Sequence, residues 1–319
     1  MQKDNPESNN SEYEHKVRIF ILHPGKAAYP EIAAYRDYFA SEFEVLDGTL
    51  ADYEVLSNKE ETILWCIMGF YPSKLVSKAV IHDYRSLSVG RFSKLKDKVK
   101  KAKNAKPDIR IFQNDLIKKS MGFNDDIPYT YLPMGVPEWI YSLQADPNYP
   151  KATFCYIGEI TKERGMDKVI EAFIKNRNSS DSFILVGPPE KEILSKYKDS
   201  EGIILTGKVT QKEALIIVKN SDYCICRIPK KYPYDLQMPT KFMEYAAAQK
   251  IVICNDSPSN RLAMHYLSYP AIISGSEIFT KQLYEQLTKK TEQISLERDI
   301  RWDNAIKSSE IERFITKCR

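Results

Sequence analysis

Apolar residues in this chain fall into short, nearly continuous β-branched runs, and between the runs lie longer stretches with helical spacing. In the first half the runs predict strands at Val17–His23, Phe43–Asp47, Thr62–Met68, Lys78–His82, Ile109–Gln113 and Tyr129–Leu132. In the second half they predict strands at Thr153–Ile157, Ser182–Val186, Ile203–Thr206, Tyr223–Arg227, Ile251–Cys254 and Ala271–Ile273. Strands that are apolar on both faces belong to sheets covered on both sides. Helical spacers between them argue for β-α-β units, parallel sheets and right-handed crossovers. The expected architecture is α/β, with two Rossmann-like, doubly wound domains facing each other across a cleft. The polar stretch Q-A-D-P-N-Y-P-K at Gln144–Lys151 marks the boundary. The domains are thus read as 16–147 and 148–277, preceded by a disordered tail over 1–15 and followed by a helical segment over 278–319 that packs back toward the first domain. Ligands favour the cleft that opens between the strand C-termini of two such domains.

The chain has 319 residues, enough for two cores. A net charge of +4 with 28% charged residues implies no general affinity for nucleic acid. No apolar run approaches the roughly 20 residues that span a bilayer, and the first 15 residues lack a signal-peptide core. Five of the six cysteines (Cys66, Cys155, Cys224, Cys226 and Cys254, but not Cys318) lie in predicted strands. None forms C-x-x-C and histidines number only four, so buried reduced thiols are expected rather than a zinc site. The expected location is the cytoplasm.

The most informative chemistry lies in D-L-Q-M-P-T-K-F-M-E-Y-A-A-A-Q-K-I-V-I, which begins at Asp235. Proline opens a helix without losing a hydrogen bond, and the free amides at Thr240 and Lys241 suit a phosphate. Glu244, one turn on, can accept two hydrogen bonds from a ribose diol. The plain alternative is an amphipathic helix with a surface acid. The second domain opens with Y-I-G-E-I-T-K-E-R-G, where Gly158 lets backbone approach a phosphate and Lys162 and Arg164 can neutralise a departing diphosphate. Solvated loop charges are the alternative there. In T-G-K-V-T-Q-K-E-A, Thr210 and Glu213 form a capping-box pattern, and a nucleobase can lie against the backbone of Lys208 and Val209.

In the first domain, Gly25 and Lys26 of H-P-G-K-A-A-Y-P-E are expected to face the cleft. His82 and Asp83 of I-H-D-Y-R-S-L end the fourth predicted strand as candidate sugar ligands. Packing without function is the alternative for the histidine. Residues 91–106 carry eight cations against Asp97 alone, with Leu95, Val99 and Ala102 as a narrow apolar seam. Such a helix suits an anionic membrane surface, with Lys94, Lys98 and Lys101 facing it on the inner side of the plasma membrane. A solvated helix face is the alternative. No aromatic residues interleave with the lysines as they would in a nucleic-acid site.

Taken in order from Val17 to Tyr266, these pieces resemble a family-4 glycosyltransferase of the GT-B fold. The resemblance is carried by Y-I-G-E-I-T-K-E-R-G, L-V-G, L-T-G-K-V, S-D-Y-C-I and P-T-K-F-M-E-Y-A-A-A-Q-K-I-V-I, with I-H-D-Y-R-S-L, I-F-Q-N-D-L-I-K-K and L-P-M-G-V in the first domain. It implies sugar transfer from a UDP- or GDP-linked donor with retained anomeric configuration, and no metal or other cofactor. It also implies Gly158 and Arg164 at the donor diphosphate, Thr240 and Lys241 at the phosphates, Glu244 at the ribose, Gly25 in the first-domain glycine loop and His82 beside the transferred sugar. Two departures stand out. Leu236 occupies the place of a first glutamate eight positions before Glu244, which leaves Asp235 or Gln237 to substitute. Glu159 stands where a basic residue is common.

Together these features predict a retaining transferase whose acceptor is a glycan or a lipid-linked glycan of a bacterial surface polysaccharide such as lipopolysaccharide. A non-catalytic nucleotide-sugar binder and a GT-B epimerase are the alternatives.

Overall fold

The computed structural model describes residues 16–25, 29–67, 69–287 and 295–319. The expected disordered tail over 1–15 and the Lys26 assignment lie outside the described residues.

The described residues form twelve strands: β1 Arg18–Leu22, β2 Glu44–Gly48, β3 Thr62–Ile67, β4 Ala79–Tyr84, β5 Ile109–Phe112, β6 Tyr129–Tyr131, β7 Phe154–Ile157, β8 Phe183–Val186, β9 Ile203–Gly207, β10 Tyr223–Cys226, β11 Ile251–Asn255 and β12 Ile272–Ser274. They make two six-stranded sheets, ordered β2-β1-β3-β4-β5-β6 and β12-β11-β10-β7-β8-β9. Every strand pairing within these sheets is parallel. Each sheet reverses its winding once, between β1 and β3 in the first and between β7 and β10 in the second.

The helices are α1 Pro30–Phe39, α2 Leu50–Glu54, α3 Ser93–Lys103, α4 Asp115–Met121, α5 Met166–Asn176, α6 Lys191–Tyr197, α7 Gln211–Asn220, α8 Thr240–Ala247, α9 Pro258–Leu267, α10 Lys281–Leu287, α11 Trp302–Ser309 and α12 Ile311–Lys317. Local chemistry sets several of their starts. Asn114 caps α4 by accepting from the Ile117 amide, and Thr210 and Glu213 close a capping box on α7. Pro258 opens α9, with Ser257 capping it.

The sheets are apolar on both faces. All residues of β3, β7 and β8 are buried. One apolar cluster runs from Ile19, Trp65 and Ile111 in the first domain, through Leu132 and Val136, to Ile157 and Val252 in the second. The chain's last helices join the first domain. A β-bridge links Val136 to Arg301, and Trp302, Ile306, Ile311 and Ile315 enter the same cluster. Gly135 makes this docking possible, since a Cβ there would lie 2.6 Å from the Trp302 ring.

Five of the six cysteines are buried, and none is in a disulfide. Burial pushes the Cys155 thiol up to about 12, so it behaves as a core apolar group. Among the described residues, no helix is long and apolar enough to cross a membrane.

Candidate active site

A cleft of about 1300 Å³ opens between the two domains. Its walls include loops at the C-terminal ends of the strands that flank the two reversals and of β4 beside them. From the first domain come Pro24 and Tyr29 after β1, Phe70 after β3 and Ser86–Val89 after β4. From the second come Gly158, Glu159 and Arg164 after β7, Ile228, Tyr234 and Gln237–Pro239 between β10 and α8, and Thr240 and Lys241 at the start of α8. Doubly wound sheets place ligands at such positions, where neighbouring loops diverge.

The second-domain wall is built around glycine. Gly158 has φ +125° and Gly187, at the end of β8, has φ +141°. The Gly158 amide donates to the Val186 carbonyl (2.9 Å), and the Gly187 amide donates to the Gly207 carbonyl (3.0 Å). A Cβ on Gly187 would overlap the Gly158 carbonyl oxygen and lie 2.9 Å from its carbon. Gly187→Ala is therefore expected to displace the Gly158 loop. It should cost about 1–3 kcal/mol of stability, from overpacking and a left-handed φ, and lower affinity for any ligand of this wall. A denaturant titration of the variant with a parallel binding measurement checks both.

The N-terminus of α8 points into the cleft, with Pro239 as N-cap and Thr240 and Lys241 as the first helical residues. Its free amides and the helix dipole form a seat for an anion, worth about 0.3–1 kcal/mol by charge alone. Lys241 reinforces it. Its Nζ donates to the Tyr156 hydroxyl (3.0 Å) and sits 4.1 Å from the centre of that ring, beside Gly158. Arg164 enters from the other side. Its guanidinium lies over the Tyr234 ring, 5.3 Å from the centre, and its Nε donates to Glu159 Oε2 (2.9 Å).

Glu244 is buried one turn behind Lys241. Its Oε1 accepts from Gln211 Nε2 (2.7 Å) at the start of α7. Burial raises its carboxyl pKa above the usual range, while Gln211 and Lys241 oppose that rise. Lys208 and Val209 precede Gln211 in the turn after β9 and do not line the cleft. Lys208 is exposed, and Val209 packs partly against the core.

Several expected site residues stand elsewhere. Lys162 points away from the cleft and pairs with Glu192 on the surface of α6, because its loop side faces that helix. His82 does not end its strand. β4 continues to Tyr84, and alternation turns His82 to the α3 side of the sheet, where it lines a small internal pocket with Leu64, Cys66 and Tyr71. Burial, with a smaller effect of Arg110, lowers its pKa to about 4, so the ring is neutral near pH 7. Asp83 faces the opposite side and is fully buried against Tyr35 and Trp65. Gly25 has φ +69°, and its amide donates to His23 Nδ1 (3.1 Å); Pro24 beside it lines the cleft. Asp235 lies in the 3-10 turn Tyr234–Leu236 at the cleft rim, and its Oδ1 is buried without a hydrogen-bond partner. Gln237 lines the cleft. Of the three lysines expected to face a membrane, Lys94 lies over the Tyr232 ring and Lys101 donates to the Gly122 carbonyl, while Lys98 is exposed.

Sequence reasoning did not single out Tyr156, Tyr234, Gln211 or the clasp between the domains. Gln113 Oε1 accepts from the Met238 amide (2.6 Å), Asn114 Nδ2 donates to the Leu236 carbonyl (3.1 Å), and Tyr232 donates its hydroxyl proton to Asp97. The pair Q-N directly after an apolar strand was the available signal for the first two.

Residues 151–267, the core of the second domain, match the family described as Glycosyl transferases group 1. This supports a glycosyltransferase. The whole-chain architecture is that of GT-B proteins. HepE from Anabaena, solved with UDP and glucose, aligns with TM-score 0.68 at 11% identity, over 94% of this chain and 100% of that one. Sucrose-phosphate synthase from Thermosynechococcus elongatus aligns with TM-score 0.68 at 10% identity, over 95% and 100%. An α,α-trehalose-phosphate synthase (UDP-forming) from Burkholderia xenovorans, solved with glucose-6-phosphate, aligns with TM-score 0.61 at 12% identity, over 94% and 99%. Compared by sequence with curated proteins, the chain matches none.

Proposed function

We propose that this GT-B protein is a retaining, metal-independent family-4 hexosyltransferase. It moves a sugar from a nucleotide donor to a glycan or lipid-linked acceptor in the assembly of a bacterial surface polysaccharide. One observation carries this reading: the N-terminus of α8, Lys241, Gly158 and Arg164 all open into a single interdomain cleft. The donor diphosphate sits on the α8 amides and Lys241, with Arg164 on its flank. Glu244, held by Gln211, meets the ribose, and the turn at Lys208 and Val209 meets the base. Asp235 or Gln237 stands at the sugar in place of the acid missing at Leu236.

During transfer the bond between the anomeric carbon and the diphosphate oxygen breaks. The acceptor oxygen forms the new bond on the same face, and its proton passes to the departing diphosphate. Lys241, Arg164 and the helix amides act by stabilising the charge that builds there. That chemistry asks for no Ser-His-Asp triad and no pair of acids. UDP is favoured over GDP because relatives of the same architecture are described as UDP-bound or UDP-forming.

A thermal-shift series over nucleotides and nucleotide sugars tests the proposal. A UDP-sugar at about a hundred times its Kd is expected to add about 2.7 kcal/mol of stability. No shift with any UDP- or GDP-sugar would reject the donor site. One observation favours a second reading, that of a binder without turnover. Glu159 already neutralises Arg164 in the cleft. Saturable donor binding with no transfer to a panel of glycan and lipid-linked acceptors would establish that reading instead.

A further inference from the structure

The donor-side groups line only one wall of the cleft. At about 1300 Å³ the space exceeds the roughly 300–1,000 Å³ of most small-molecule sites, so a second ligand fits beside a nucleotide sugar. The facing wall, from the first domain, carries a large hydrocarbon surface. Phe70, Val89, Phe92, Leu95 and Val99 all line the cleft, and their exposures are 51%, 54%, 63%, 58% and 42%. Apolar side chains gathered this way on one concave surface mark a binding face. Leu95 and Val99 lie one turn apart on α3, and Lys96 and Lys100 line the cleft beside them.

Phe92 adds an independent observation. It is the N-cap residue of α3 and has φ +63°, a left-handed conformation that suits Gly or Asn and that a bulky side chain rarely adopts. Its side chain makes no capping bond in return. The backbone instead holds an aromatic ring on the cleft wall, with the Arg91 guanidinium 5.0 Å from its centre. Strain of this kind clusters at ligand-binding positions.

Tyr29, Ser86 and Ser88 bring polar groups to the β1 and β4 loops of this wall, but the surface made by these five residues has no side-chain donor or acceptor for a sugar hydroxyl. Lysines beside hydrocarbon instead complement an anion attached to an apolar chain. We infer that the acceptor is an amphiphile. Its hydrocarbon chain lies across Phe92, Leu95 and Val99 with Phe70 and Val89, and its phosphate-type anion meets Lys96 and Lys100. Its nucleophilic hydroxyl is thereby carried toward Lys241 and Arg164 on the opposite wall. This rests on the transferase reading and names its acceptor class. A bilayer surface is the competing occupant, but the apolar residues line the inside of the cleft, which a single chain can enter and a flat membrane cannot.

Calorimetric titration of the full chain with dodecyl phosphate below its micelle concentration, with inorganic phosphate as control, tests the inference. One saturable site for dodecyl phosphate is expected, and none for inorganic phosphate at the same concentrations. Phe92→Asn and the double variant L95S/V99S should each weaken binding about tenfold. Phe92→Asn should melt no lower than the native protein, because Asn accepts the left-handed backbone. Stabilisation by UDP-glucose should be unchanged in both. Equal affinity for dodecyl phosphate in native and variant proteins would overturn the site, as would binding confined to vesicles of anionic phospholipid. If dodecyl phosphate binds but no nucleotide sugar stabilises the native chain, it is the transferase reading that fails, and the acceptor role goes with it.

Discussion

Lys241→Ala is expected to lower kcat/KM with the nucleotide-sugar donor by about a hundredfold, equivalent to about 2.7 kcal/mol of transition-state stabilisation. Lys241 stands in the first turn of α8, where its charge adds to unpaired amides aimed at the same point. Tyr156 holds it from below through both the hydroxyl and the ring face, so little side-chain freedom remains to be lost when an anion arrives. The negative charge on a departing diphosphate grows as the glycosidic bond breaks. A fixed cation there is worth more in the transition state than in the ground state, so the loss should appear mainly in kcat. Arg164→Ala should cost at least tenfold but less than the lysine change, because Glu159 already takes part of that guanidinium's charge. Initial rates of donor consumption in the two purified variants check this order, with melting curves to confirm that both fold. If the Lys241 variant turns over like the native protein, the diphosphate does not sit on α8.

Most of the architecture was legible because its signal is one-dimensional. Strands covered on both faces must be nearly all apolar, and every strand in the structure overlaps a predicted run. The boundaries shifted by a residue or two, and one such shift mattered. Ending the fourth strand at His82 placed that residue over the cleft, whereas two more residues of strand turn it inward and leave the loop at Ser86–Val89 as the cleft wall. Side-chain direction within a loop was not legible either. Lys162 and Arg164 are two positions apart in one turn, yet one pairs with Glu192 outside and the other lies against Tyr234 inside. Their partners come from α6 and from the segment before α8, so the choice between them is tertiary. Pro239, Thr240 and Lys241 could be placed because a helix start is a local event, with the same free amides wherever the helix packs. The apolar seam at Leu95 and Val99 could be read from its spacing, but its facing into the cleft depends on how Asp97 anchors the helix. Asp97 is buried and accepts from the Ser88 amide (3.0 Å) and from the Tyr232 hydroxyl.

Asp83→Ala is expected to remove about 3 kcal/mol of stability from the first domain, the low end of the cost of breaking a buried ion pair. Asp83 is fully buried, and its Oδ2 accepts from the Tyr35 hydroxyl (2.9 Å) and from Trp65 Nε1 (3.1 Å). Arg85 lies 3.2 Å away and is itself buried. Without the carboxylate that guanidinium keeps the Leu132 carbonyl (2.8 Å) and the Tyr35 hydroxyl (2.7 Å), which is why the loss should fall at the low end. Arg85 also faces the Trp302 ring at 5.7 Å, so the same change should loosen the seat of α11 on the first domain. The three tryptophans of the chain, Trp65, Trp139 and Trp302, all lie on this side of the cleft and in or against its core, so their fluorescence reads the event directly. With a slope of about 1–3 kcal/mol per molar urea, the midpoint should fall by about 1–3 M. The double variant D83L/R85M should recover part of the loss, because the two paired charges leave together, while the buried Glu31 loses the stabilising charge of Arg85. If Asp83→Ala moved the midpoint by under about 0.3 M, or if the double variant were no better than the single, the pair would contribute little and the apolar cluster alone would hold α11 in place.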